Sequence, residues 1–251
     1  MPYLGYLLAQ ALKAGETIAQ AITSAASYVT KVGGSVVDLS PSVEALKSPS
    51  DGSGELNGSN EYINIGQILV PVGADDFTVM CWVYRNRNNV GYEEIISQWT
   101  SANGSNSFFL GFNNSNVRFS DNWANVTVSG AGDLNKWFHL CGVNDGGSNA
   151  YIYLDGNLKA TKGSALTYTG QAEVIIGKQG SLNSEYFSGN LANVAVWSRA
   201  LSAEEVRSVM NKSYDELNAS ETKGLVSWYA LDDISGSTVP DSHGNYNGTA
   251  N

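Results

Sequence analysis

Apolar and polar positions alternate most regularly between residues 137 and 161. In an extended chain, Trp137, His139, Cys141 and Val143 fall on one side, and Phe138 and Leu140 on the other. A strand apolar on both sides lies between layers, so the pattern predicts a sandwich rather than a lone sheet. Asn144-Asp145-Gly146-Gly147-Ser148 closes this strand onto residues 151–154, and Asp155-Gly156 closes those onto residues 157–160. A two-residue Asp-Gly loop suits a type I′ turn, whose twist matches the strands it joins. That turn sets Tyr153 opposite Leu158 and Tyr151 opposite Ala160 on one side. Ile152 and Leu154 then face Lys159 and Asn157 on the other.

Strand patterns recur along the chain at 61–65, 77–84, 94–99, 108–112, 117–120, 125–129, 173–176 and 191–197. Residues 113–116, Asn-Asn-Ser-Asn, join two of them as a hairpin. One helix interrupts the series. Ser202-Ala203-Glu204-Glu205 is a capping box, and Val206, Val209 and Met210 give the helix one apolar edge. Many short strands with one short helix predict an all-β sandwich.

The first thirty residues follow a different period. Leu4, Leu8, Ala11, Gly15, Ile18, Ile22, Ala25 and Val29 repeat at a 4-3 spacing with polar residues between them, the seam of an amphipathic helix. Such a seam serves either a helix packed on its own domain or a helix that docks or self-associates, with a trimer favoured. Residues 31–53 carry Gly33-Gly34, Ser40-Pro41, Ser48-Pro49 and Asp51-Gly52-Ser53, the turn chemistry of a connector. The expected organisation is therefore a helix over 1–30, a connector over 31–53 and a sandwich over 54–251.

The formal net charge of −10 repels phosphate, which argues against a nucleic-acid groove. No apolar run has the length of a membrane span, and no basic residue precedes the apolar stretch 4–11, so neither a span nor an export signal is expected. The two cysteines, Cys81 and Cys141, fall in predicted core strands and read as free, buried, apolar residues rather than a disulfide.

Several stretches resemble a known family. Phe77-Thr78-Val79-Met80-Cys81-Trp82-Val83 is similar to the "FTxxxWv" strand of laminin-G-like, concanavalin-A-like jelly-roll domains. Trp137-Phe138-His139-Leu140 resembles their "WxHv" strand, and residues 151–156 their "lyvDG" hairpin. Residues 187–206, from Phe187-Ser188-Gly189 to Leu201-Ser202-Ala203-Glu204-Glu205-Val206, resemble the family's closing signature. The resemblance implies a concanavalin-A-like (laminin-G-like) jelly-roll β-sandwich, here with an N-terminal α-helical segment. Residues 224–233 and 241–249 are similar to the segment that usually opens such domains, yet they come last. Either a second domain is cut short or the C-terminal segment 224–250 completes the same sandwich. The apolar Leu225, Trp228 and Leu231 favour completion, because a truncated piece would leave them uncovered.

Met1-Pro2-Tyr3-Leu4-Gly5 is similar to the start of many bacteriophage tail and fibre proteins. Together with the helix seam and a lectin-like head, it points to a virion protein assembled in the host cytoplasm and displayed on the virion surface. Its expected partners are other virion subunits and a host-surface carbohydrate.

Catalytic chemistry has little support. No Glu-x-Asp-x-Glu run, Gly-x-Ser-x-Gly elbow or phosphate-cradling Gly-Lys-Ser/Thr loop occurs. Glu93-Glu94 and Glu204-Glu205 are adjacent pairs, which diverge on a strand or sit at a helix start. His139 reads as a core residue. Sugar sites combine flat aromatic rings with Asn and Asp partners. The candidates for that chemistry are Trp123 beside Asp121 and Asn122, then Trp99, Tyr186, Asn144 and Asp145. No metal site is diagnostic. Ca2+ on rim loops, which the family implies, has candidate ligands in Asp75-Asp76, Asp121-Asn122 and Asn144-Asp145. The expected protein is a non-enzymatic virion component, a tail fibre, head fibre or capsid decoration, attaching to glycans. A purely structural capsid or tail cement protein and a secreted bacterial or eukaryotic adhesion module are the alternatives.

Overall fold

The computed structural model describes residues 52–70, 76–88, 90–99, 108–121, 125–166, 172–180, 184–244 and 246–251. The expected N-terminal helix and its seam, from Leu4 to Val29, and most of the connector lie outside the described residues.

Two antiparallel sheets form a sandwich. The first contains β1 (Gly54–Asn57), β3 (Asp76–Arg85), β8 (Trp137–Asp145), β9 (Asn149–Leu154), β10 (Asn157–Lys162), β12 (Ser188–Trp197) and β13 (Leu225–Tyr229). Its order is β1-β12-β3-β8-β9-β10, with β13 also on β12. The second sheet contains β2 (Ile63–Asn64), β4 (Tyr92–Gln98), β5 (Phe108–Asn113), β6 (Asn116–Ser120), β7 (Asn125–Val128), β11 (Val174–Ile176), β14 (Thr238–Val239) and β15 (Gly248–Ala250). Its order is β14-β15-β2-β11-β4-β5-β6-β7.

The interior follows from strict alternation. Phe77, Val79, Cys81 and Val83 of β3 meet Phe108, Leu110, Phe112, Val117 and Phe119 of the opposite sheet in one apolar core. The intervening positions of β3, Met80 and Trp82, are equally buried but face away from that core. They are covered by the segment after β12. The helix α1 (Ala203–Val209) lays Val206 and Val209 onto Met80, Cys141, Trp197 and Trp228. Its capping box forms, with Ser202 Oγ accepting from Glu205 N and Glu205 Oε2 accepting from Ser202 N. Its far end is pinned by Trp82 Nε1, which donates to the Met210 carbonyl at 2.9 Å. The both-sided apolar character of the central strands thus reflects a sheet below and a helix above.

Both cysteines are free and buried. Cys81 faces the inter-sheet core and Cys141 faces the helix layer. Burial pushes both thiols well above their ordinary value.

The Asp155-Gly156 turn has both residues at positive φ, 49° and 70°, as a type I′ turn requires. Leu158 pairs with Tyr153 as expected. Beyond it the expected register fails. An irregularity between Leu158 and Ala160 sets Ala160 opposite Ile152 and Thr161 opposite Tyr151. The extra residue on the outermost strand shifts the pairing by one, as a β-bulge does. The 61–65 strand is also shorter than its pattern, reduced to Ile63–Asn64.

The C-terminal segment is woven into both sheets. β13 pairs with the second half of β12, through Val194↔Tyr229 and Ala195↔Trp228. β15 pairs with β2, Thr249 opposite Asn64 and Ala250 opposite Ile63.

Candidate functional site

The inner side chains of the eight-stranded sheet belong to the core, so its outer face carries the alternate positions. On β4 the adjacent carboxylates separate as expected for a strand. Glu93 turns inward, where Arg85 Nε donates to its Oε2 at 3.0 Å and Arg87 Nε to its Oε1 at 2.9 Å. Glu94 points outward and pairs with Arg118 Nη2. Arg118 is the outward residue of β6 between Val117 and Phe119, which fill the core.

Aromatic rings hold the guanidinium. It lies 4.5 Å from the Tyr92 ring centroid and 5.2 Å from that of Phe109. Tyr92 is 43% exposed, whereas Phe109 is buried. Gly111, the outward residue next to Phe109 on β5, leaves the room: a Cβ there would run into Glu94 Oε2 and the Glu93 carbonyl.

The segment before β12 supplies a second carboxylate. Glu185 has a positive φ of 60°, sparsely populated for a residue with a side chain. Its carbonyl accepts from Glu94 N at 3.0 Å, and its carboxylate stands 3.8 Å from Arg118 Nη2. Two residues on, Phe187 is buried in the core and its N–H donates to Gly177 O, which anchors the segment. Next to Glu185, Tyr186 joins Tyr62 around Lys178. The ammonium lies 4.1 Å from the Tyr62 ring and 5.6 Å from the Tyr186 ring. Ser97 Oγ fixes that stretch, donating to Lys178 O and accepting from Gly180 N, both at 2.9 Å.

Burial dominates the electrostatics. It lowers the pKa of Arg118 and of Lys178 and raises that of Glu185, the last opposed by the nearby guanidinium. Three buried polar atoms of the cluster have no hydrogen-bond partner: Arg118 Nε, Glu94 Oε2 and Glu185 Oε2. Buried polar atoms are ordinarily satisfied, so such a concentration marks a place that accommodates something polar. A donor, two acceptors and an accessible ring suit a molecule with hydroxyl groups and C–H faces.

The sequence-expected residues divide. Trp99 and Tyr186 reach this face, Trp99 with its ring 6.3 Å from Phe109 and Tyr186 with its ring 6.4 Å from Tyr62. Asp121 directly follows β6 and is 5% exposed, while Asn122 and Trp123 lie outside the described residues. Asn144 and Asp145 are on the other sheet and serve its architecture. Asn144 is fully buried, with Oδ1 accepting from Leu166 N at 2.6 Å. Asp145 caps the β8–β9 hairpin, accepting from Asn149 N and from the Tyr151 hydroxyl, contacts that lower its pKa against the opposing effect of desolvation. Sequence reasoning missed Tyr92, Glu94, Phe109, Arg118, Glu185, Tyr62 and Lys178. The available signal was a charged residue at an alternate position of an apolar strand, at Glu94 and at Arg118.

Of the calcium candidates, Asp75 also lies outside the described residues. Among the described residues no group of three or more His, Cys, Asp or Glu is placed to hold a metal ion. No described helix is long and apolar enough to cross a membrane.

Comparison with solved structures bears on the fold. A candidate carbohydrate-binding protein from Bacteroides ovatus ATCC 8483 superposes with a TM-score of 0.61 at 21% identity, over 82% of this chain and 59% of its own length. This chain therefore spans less than two thirds of that protein. The heptameric SAP-like pentraxin of Limulus polyphemus matches with a TM-score of 0.53 at 19% identity, over 66% of this chain and 84% of its own. The CBM40 of the Ruminococcus gnavus IT-sialidase matches with a TM-score of 0.51 at 15% identity, over 65% of this chain and 100% of its own. A comparison with curated protein sequences found no match. The family model Laminin_G_3 matches residues 57–207, which run from the end of β1 into α1. With its strands, sandwich and closing helix in the places that model covers, the chain belongs to the concanavalin A-like lectin/glucanases superfamily.

Proposed function

We propose that this domain is a non-enzymatic carbohydrate-binding module that holds a glycan on the outer face of its eight-stranded sheet. The observation that carries the reading is the Arg118 guanidinium, held between Tyr92 and Phe109 with unpartnered polar atoms around it. The superfamily contains lectins, and two of the structural neighbours are named for carbohydrate binding or as a CBM, which agrees with the reading. Binding without cleavage is favoured by the position of Arg118 Nη2. It pairs with both Glu94 and Glu185, so the two carboxylates share one guanidinium.

Glycan-array binding by the full chain and by Tyr92→Ala tests the site, and reducing-end release from bound oligosaccharides tests the absence of cleavage. Binding that weakens in Tyr92→Ala, with no release, is the expected result. Release of reducing ends that stops in Glu185→Gln would make this face an active site instead.

The finer setting is a bacteriophage tail fibre, head fibre or decoration protein presenting several such heads, so that weak contacts add by avidity. It rests on the resemblance of residues 1–5 to the start of fibre proteins, joined to the helix seam over residues 1–30. Co-purification of the chain with intact particles, on their surface, is the measurement that decides it.

A further inference from the structure

We infer that the ligand of this face is a neutral sugar held through its hydroxyl groups, and that sugars presenting a carboxylate are turned away. The inference rests on the glycan-binding reading above and concerns which sugars qualify. It follows from the kind of polar atom left unpaired. Arg118 Nε can only donate, whereas Glu94 Oε2 and Glu185 Oε2, when ionised, can only accept. Hydroxyl groups do both. Two hydroxyls of one ring can donate to the carboxylate oxygens while a third oxygen accepts from Nε.

An incoming carboxylate offers acceptors alone. It would satisfy Nε and leave two like-charged oxygens without a hydrogen bond beside it. The guanidinium, moreover, has no surplus charge to offer, since its Nη2 already pairs with Glu94 and has Glu185 at 3.8 Å. Burial raises the pKa of Glu185, which shows that this spot already resists a negative charge. Lys178 is the other cation of the face. It stands on the Tyr186 side, over two tyrosine rings.

Access is through Tyr92. The three unpaired atoms are closed to solvent, and the exposed Tyr92 ring lies over the guanidinium. A sugar reaches them by displacing that ring, whose flat side then faces the C–H groups of the pyranose.

The test measures the full chain and Tyr92→Ala on an array of oligosaccharide pairs that differ only by a terminal sialic or uronic acid, with calorimetry on the best pair. The neutral member is expected to bind, its acidic mate at least about tenfold more weakly, and Tyr92→Ala is expected to cost the neutral member about tenfold. Preference for the acidic member, with the same dependence on Tyr92, would overturn the inference and leave the glycan site standing. Binding by neither member, or binding indifferent to Tyr92→Ala, would overturn the site itself and this inference with it. Because Tyr92 is exposed, its replacement leaves the core untouched and the comparison stays interpretable.

Discussion

The two outer faces of this sandwich are built from opposite materials. Over the seven-stranded sheet, Met80, Cys141, Trp197 and Trp228 meet the apolar side of α1, and the tryptophans pack edge to face at 6.1 Å. Most polar groups there are tied down: Trp197 Nε1 donates to the Glu221 carbonyl at 2.8 Å, and Thr78 Oγ1 donates to Arg199 O while accepting from Leu201 N; the two ring nitrogens of His139 are an exception. Over the eight-stranded sheet, rings and charges share the surface, and three buried polar atoms lack a hydrogen bond. The same alternation yields both faces. What differs is the kind of residue that points outward, mostly apolar on one face and charged among aromatic rings on the other. Apolar side chains met by a helix make a second core, whereas charges ringed by aromatics leave a face suited to engage another molecule.

The comparison breaks most completely if residues 224–251 are deleted. That removes Leu225 and Trp228 from the helix-covered face and strips β12 and β2 of their partners β13 and β15. The expected product is insoluble or unfolded, and a soluble product with a cooperative urea transition would contradict the assignment of this segment. Trp197→Ala on the same face should cost about 3–5 kcal/mol in urea denaturation, as buried aromatics do.

A third test uses His139, which lies on this face with its ring 5.6 Å from that of Trp82. It is fully buried, neither ring nitrogen has a hydrogen-bond partner, and desolvation lowers its pKa to about 3. In the unfolded chain the same ring takes up its proton near pH 6.5. Between those values the unfolded state binds more protons, so stability falls as pH falls, by about 1.4 kcal/mol per pH unit. His139→Phe should flatten the stability profile between pH 6.5 and 4.5 relative to the parent chain. An unchanged slope would show that this ring is not the cause.

The smallest effect on stability belongs to the other face. Tyr92→Ala removes one exposed cation–π contact and should cost about 1 kcal/mol or less in urea, while weakening glycan binding about tenfold. If Tyr92→Ala instead destabilised the protein as much as Trp197→Ala, the contrast between the faces would collapse.

Much of the fold could be read from single stretches. Ser202 and Glu205 announced α1 because a capping box is a local exchange of hydrogen bonds. Trp137 to Val143 announced a covered sheet because both sides of one strand are apolar. Register past Leu158 could not be read, since a bulge on an edge strand depends on its surroundings rather than on the turn that precedes it. The candidate site was less legible for a related reason. Tyr92, Phe109, Arg118 and Glu185 come from three strands and a distant segment, and only the sheet brings them together. Aromatic residues near Asn and Asp selected Trp99 and Tyr186, which lie on this face, and by the same rule Asn144, whose side chain is spent on the backbone of Leu166.

The pairing of β2 with β15 has a consequence for how the protein comes to exist. Ile63 leaves the ribosome long before its neighbour Ala250, so one side of β2 must wait while all the residues between them are made. The eight-stranded sheet, and with it the face that carries Arg118, reaches its final form only after residues 248–250 have emerged. Chains stalled before that point would present a bare strand edge to their neighbours on the polysome, where unsatisfied backbone invites clumping.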